Sequence, residues 1–306
     1  MTEAATVRCG PAGWSYPHWN GIVYPRPRPK SFHPLEYLAE YFDAVEINTC
    51  FYQHLRPEIC RLWMNRVAGN PRFLFTAKLH RRFTHERSLD PGEVAAFTRG
   101  VAPLAEAGKL GCVLMQFPWS FRFTEENRDF LIRLRRAFSR FPLAAEMRHS
   151  SWMHEEALGL LIDYHIGFCN IDQPPRSSAM PATALLTSGI GYVRLHGRGG
   201  GDWFQQFETP RLVARRDYLY SAGELAEWKE RVEHLRRFAD SVYVVTTNDA
   251  GGRAVVNALQ LQELLTGSAK AAPAALRRRF WKELEGFGAG PAPQPSLFGE
   301  TLSRVA

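Results

Sequence analysis

The chain has 306 residues, 45% hydrophobic and 23% charged, which excludes a disordered or collagen-like chain and leaves room for one large α/β domain or two smaller ones. A net charge of +7 and a pI of about 9.3 favour an anionic partner, nucleic acid or a phosphorylated small molecule, although a basic surface also serves solubility alone. Five scattered cysteines without metal spacing, no apolar signal core and no run of roughly 20 apolar residues make the chain read as cytoplasmic, with no membrane partner.

In chain order, the runs TVRCG (6–10), DAVEIN (43–48), RFLFTAKL (72–79) and LGCVLMQF (110–117) read as strands. So do LAAEMR (143–148), IGFCNID (166–172), GYVRLHG (191–197) and SVYVVTTN (241–248). Several are continuously apolar, as parallel strands covered on both faces are. Amphipathic helical segments follow strands two, three, four, five, seven and eight, with Asp90–Pro91 and Thr124 as N-terminal signals. Only QPPRSSAMPATALL, after strand six, is a poor helix. Eight strands alternating with helices predict a single (β/α)8 TIM-like barrel over 1–285, followed by a disordered Gly/Pro-rich tail, 286–306; an open doubly wound sheet is the alternative. No G-x-G-x-x-G follows the first strand, which weakens a dinucleotide fold. Cys112 and Cys169 sit in apolar runs and read as core.

A buried strand stays apolar until it leaves the sheet. Here the strand ends carry Glu46, Lys78, Gln116, Glu146 with Arg148, Asp172, Arg194 with His196, and Asn248 with Asp249. In a barrel these ends converge on one face, where active sites are built. Glu46, Glu146, Asp172 and His196 are the residue types of an oxygen/nitrogen divalent-metal site, or of an acid–base pair, though no fixed spacing specifies a metal. Lys78, His85, Gln116, Arg148, Arg194 and Asn248 suit substrate or phosphate binding. The same charges also form structural ion pairs in many barrels.

The loop GPAGWSYPHWNGIVYP (10–25) is rich in aromatics. Trp14 and Trp19, with Tyr52 beyond strand two, either stack a base or sugar or pack the loop on itself. HRRFTHER (80–87) concentrates Arg81, Arg82, Arg87, His80 and His85 into an anion-attracting patch.

GPAGWSYPHWNGIVYP, FDAVEINTCFYQHLRPE, FLFTAKLHRRFTH, LMQFPWSF, AAEMRHSSW and YVRLHGR together resemble the YecE-like family, a domain of unknown function (number seventy-two). The likeness runs from about residue 8 to 265. It implies a TIM-barrel-like fold and supplies no established reaction. Its motif positions include Trp14, Trp19, Glu46, Tyr52, Lys78, His85, Gln116, Glu146, Arg148, Arg194 and His196. At strand eight Asn248 matches, whereas Thr247 stands where the family carries a further amide.

The tail ends in QPSLF (294–298). Gln294, Ser296, Leu297 and Phe298 resemble the short motif by which bacterial repair proteins dock on the sliding clamp, with Pro295 at a position that is often Leu. Folding of Leu297 and Phe298 back onto the barrel is the alternative. The sequence therefore points to a nucleic-acid-associated barrel protein, a hydrolase of phosphodiester or damaged DNA sites recruited by its tail. A sugar or sugar-phosphate enzyme and a non-catalytic DNA-binding adaptor are the rival readings.

Overall fold

All eight expected strands form, each within two residues of its expected ends: β1 Thr6–Pro11, β2 Ala44–Ile47, β3 Leu74–Lys78, β4 Leu110–Gln116, β5 Leu143–Glu146, β6 Ile166–Asp172, β7 Ile190–Leu195 and β8 Ser241–Thr246. The computed structural model describes residues 4–199, 217–267, 271–288 and 290. Every ladder is parallel, in the order β1-β8-β7-β6-β5-β4-β3-β2. The circle closes between β1 and β2 through one bridge, Ala12 with Glu46, where the Gly13 amide donates to the Glu46 carbonyl at 2.8 Å. Gly10 permits this approach: a Cβ there would lie 1.8 Å from the Ala44 carbonyl oxygen.

Among the described residues nine α-helices form, and the two with expected caps, Asp90 and Thr124, start where those caps predict. The nine are α1 Pro34–Ala39, α2 Pro57–Arg66, α3 Arg81–Thr84, α4 Pro91–Glu106, α5 Glu125–Ala137, α6 Glu155–Asp163, α7 Ala222–Arg236, α8 Arg253–Thr266 and α9 Ala274–Arg279. Asp90 accepts from the Glu93 amide, Thr124 from the Asn127 amide, and Ser221 forms a reciprocal capping box with Glu224. The segment between β6 and β7 holds no helix, as its prolines predict. The short α1, α3 and α9 fall below the length at which periodicity is informative.

Strand alternation divides the polar residues. On β7, Tyr192 and Arg194 face the interior, whereas Val193 and Leu195 join Trp228 of α7 in an outer apolar cluster. The interior is filled from below: Tyr243 occupies the space left by Gly111, whose added Cβ would sit 2.3 Å from the phenol oxygen. Tyr192 spans the middle, its hydroxyl donating to Glu46 Oε2 at 3.0 Å and accepting from the Thr76 hydroxyl at 2.8 Å. In barrels so filled, ligands bind at the C-terminal mouth. All five cysteines are buried free thiols, including Cys112 and Cys169. Among the described residues no helix is long and apolar enough to cross a membrane.

Candidate functional site at the barrel mouth

Arg194 organises the mouth. Its Nη2 donates to Glu46 Oε1 at 2.9 Å, and its Nη1 donates to Gln116 Oε1 at 3.0 Å and to Glu146 Oε2. The register makes this possible: Gln116 pairs with Glu146, Glu46 with Thr76, and Ile171 with Arg194, so the polar members share the inner face. Above this buried chain lie two partly exposed cations. Lys78 Nζ is 3.7 Å from Glu46 Oε1 with 15% side-chain exposure, and Arg148 Nε donates to Glu146 Oε1 at 2.8 Å with 18%. Lys78 also stands over the Phe51 ring at 5.7 Å, and that ring meets His85 edge-on.

His196 lies beside the same carboxylate, its Nε2 3.3 Å from Glu146 Oε1 and its Nδ1 2.7 Å from Thr247 Oγ1. Burial pushes the imidazole down to about 3, against the pull of Glu146, so it is uncharged at neutral pH. Burial, then the charges of Arg148, Arg81 and Lys78, likewise lower His85 to about 4. For Glu146 burial alone would raise the carboxyl; Arg194, His196 and Arg148 outweigh it and hold it well below the ordinary range. Glu146 is thus a fixed anion rather than a proton donor. Arg194 is likewise held charged: burial works against its charge, but Glu146 and Glu46 raise its pKa.

The structure gathers Glu46, Lys78, His85, Gln116, Glu146, Arg148, Arg194 and His196 at one mouth. It does not bring Asp172 there. Asp172 pairs with Leu195 in the β6–β7 register and therefore faces outward, where Trp228 Nε1 donates to it at 2.6 Å and Arg198 Nε at 3.0 and 3.1 Å. The four-residue metal set expected from the sequence is corrected on this ground, and Arg194 already spans Glu46 and Glu146. Asn248 also points outward, donating to the Tyr218 carbonyl at 2.7 Å and to Asn257 Oδ1 at 2.8 Å.

The aromatic loop packs on itself. Trp19 is fully buried and donates to the Asp249 carbonyl at 2.7 Å, while Trp14 is buried edge-on to Trp63. Neither presents a stacking face. Tyr52, 60% exposed, does.

Thr247, Tyr192 and Thr76 were not singled out as site residues, yet they support His196 and Glu46. Two-residue alternation from Arg194 and Lys78 would have found Tyr192 and Thr76. Trp119, beyond β4, was also missed; Arg122 and Arg176 lie over its ring at 5.4 and 5.0 Å. Among the described residues, the cluster with metal-ligand spacing is His54, His80 and Glu93, which no sequence pattern indicated. Gln294, Leu297 and Phe298 lie outside the described residues.

Eight parallel strands closing around a charged mouth at their C-terminal ends define a (β/α)-barrel protein of the TIM type. More particularly, the chain belongs to the family described as protein of unknown function DUF72, which it matches over residues 8–279, as the six motifs indicated. It is 27% identical over 272 residues to the UPF0759 protein YunF of Bacillus subtilis, covering 85% of this chain and 94% of that one. A DUF72 family protein from Thermotoga maritima is 32% identical, with a TM-score of 0.72 over 85% of this chain and 98% of its own. One from Enterococcus faecalis is 26% identical, with a TM-score of 0.74 over 86% of this chain and 96% of its own.

Proposed function

We propose that the barrel mouth binds a phosphate-bearing ligand, nucleic acid being the ligand class, and that Lys78 and Arg148 seat one phosphate. The charge balance carries this reading. Three cations, Lys78, Arg148 and Arg194, face two carboxylates, Glu46 and Glu146, while His85 and His196 are uncharged. The surplus is positive, and its two most accessible members sit outermost. Arg122 and Arg176, exposed on Trp119 in the loops after β4 and β6, extend the cationic rim toward further phosphates.

The test is anisotropy of labelled single-stranded and duplex oligonucleotides across a salt series. Lys78→Gln and Arg148→Gln are each expected to lower the slope of log K against log salt by about one. No binding, or unchanged slopes in both variants, removes the reading.

The hydrolytic form assigns phosphodiester or damaged-site cleavage to the same mouth. Glu146, ionised and held by its neighbours, is a weak base, so its part there is to position Arg148 and Arg194. Oligonucleotide binding without turnover by the wild-type protein leaves the non-catalytic adaptor. The depth of the mouth favours the sugar-phosphate alternative, because the innermost polar groups are almost fully buried. Thermal stabilisation by phosphorylated sugars without oligonucleotide affinity selects it. For the tail, a labelled 288–306 peptide is expected to bind a bacterial sliding clamp and to lose binding on Leu297→Ala/Phe298→Ala substitution. Equal binding by both peptides rejects the clamp motif.

A further inference from the structure

Beside the mouth, three loop and helix positions bring together two imidazoles and a carboxylate. His54 precedes α2, His80 follows β3, and Glu93 lies in the first turn of α4. One candidate ligand atom from each lies within 4.8 Å of the others. His54 Nε2 is 2.6 Å from Glu93 Oε2, and the two rings stack at 4.5 Å. Glu93 Oε1 is held by Arg82 at 3.2 Å.

We propose that His54, His80 and Glu93 form a transition-metal site of the Zn²⁺ class. Two imidazoles and one carboxylate are donors that suit Zn²⁺, with a further position left for water. The ion would take the place of the proton between His54 Nε2 and Glu93 Oε2, that proton passing to Nδ1. His80 is built for the part. The Tyr52 backbone lies beside the His80 ring, in position to give the outer support that ligating histidines use, while Nδ1 accepts the Arg82 amide at 3.2 Å. Coordination through Nδ1 gives up that single capping bond of the four-residue α3. The stacked rings must tilt to converge on one ion. For His54 only the Nε2 hydrogen bond and the stack on His80 oppose that tilt, because its buried Nδ1 has no hydrogen-bond partner. Arg82 beside the carboxylate offsets one negative charge, so the affinity expected is micromolar rather than that of a thiolate site.

The site is independent of phosphate binding. It joins the loop carrying Phe51 and Tyr52 to the start of α4, and so would stiffen the rim on which Lys78 rests. The experiment uses the full chain freed of metal by chelation and titrated calorimetrically with ZnCl2, with CaCl2 as the hard-cation control. One Zn²⁺ per chain is expected, with affinity lowered at least about tenfold by His54→Gln and by Glu93→Gln. Both variants are checked for an unchanged melting temperature in EDTA. If either fails to fold, Co²⁺ added to the wild-type chain gives the second readout. Visible bands of nitrogen/oxygen coordination without thiolate charge transfer support the site. No uptake, equal uptake by the folded variants, or a thiolate spectrum overturns it.

Discussion

Glu146 and Asp172 are carboxylates at the ends of neighbouring strands, and they belong to different worlds. Glu146 faces the barrel axis, fully buried among Arg194, Arg148 and His196. Asp172 faces the helices, where Trp228 and Arg198 hold it and Arg198 runs on to Glu224 and Glu227. The inner network lies at the C-terminal mouth of the barrel, the face on which barrel proteins build their sites. The outer one ties β6 and β7 to α7. One residue of phase separates the two, so strand-end polarity announces a polar contact but not which side of the wall it is on.

Substitution at the two centres sharpens that contrast. Arg194→Met leaves Glu46 and Glu146 facing each other in the interior, and a loss of about 3–5 kcal/mol is expected in chemical denaturation. Survival with near wild-type stability would mean that Lys78 and Arg148 suffice to hold both carboxylates. Trp228→Phe keeps the ring packing and removes the donor to Asp172, for an expected loss of about 1–3 kcal/mol.

Acid weakens the fold through buried imidazoles and through Glu146. An imidazole whose folded pKa lies below its unfolded value takes its proton more readily when unfolded, so its protonation destabilises the fold. His196, lowered to about 3, and His85 and His33, each lowered to about 4, therefore withdraw stability as pH falls below about 6.5. Each accounts for up to about 1.4 kcal/mol per pH unit. Glu146, depressed in the fold, adds its loss as pH drops below the ordinary carboxyl range. Glu40, raised to about 7 by burial and Glu36, opposes them weakly from an exposed position. Melting temperatures measured from pH 7.5 to 5 should fall, and His196→Asn should flatten the fall. Arg198→Ala strips the bidentate partner from the nearly buried Asp172 but leaves the Trp228 donor, so it should cost about 1–3 kcal/mol and leave oligonucleotide binding unchanged.

The fold was legible because strands and caps are local signals. The eight apolar runs, Asp90 with Pro91, and Thr124 each mark their element without help from the rest of the chain. The mouth was legible in outline for the same reason. Its wiring was not: Arg194 meets Glu46 across 148 positions, and only closure of the barrel brings them together. Trp14 and Trp19 stayed open between stacking and self-packing because an aromatic loop has the same sequence whether it packs inward or waits for a ligand. His54 and Glu93, 39 positions apart in a loop and a helix, left no pattern to read.

The single bridge between β1 and β2 gives Glu46 two jobs at once. Its carbonyl fastens the Gly13 amide across the barrel's thinnest seam, while its carboxylate holds Arg194 at the centre. The Gly13 amide proton is thereby a built-in gauge: its exchange with solvent is expected to quicken when the charged centre loosens, and a phosphate engaging Lys78 or Arg148, as proposed, is expected to change that rate where the cylinder is stitched shut.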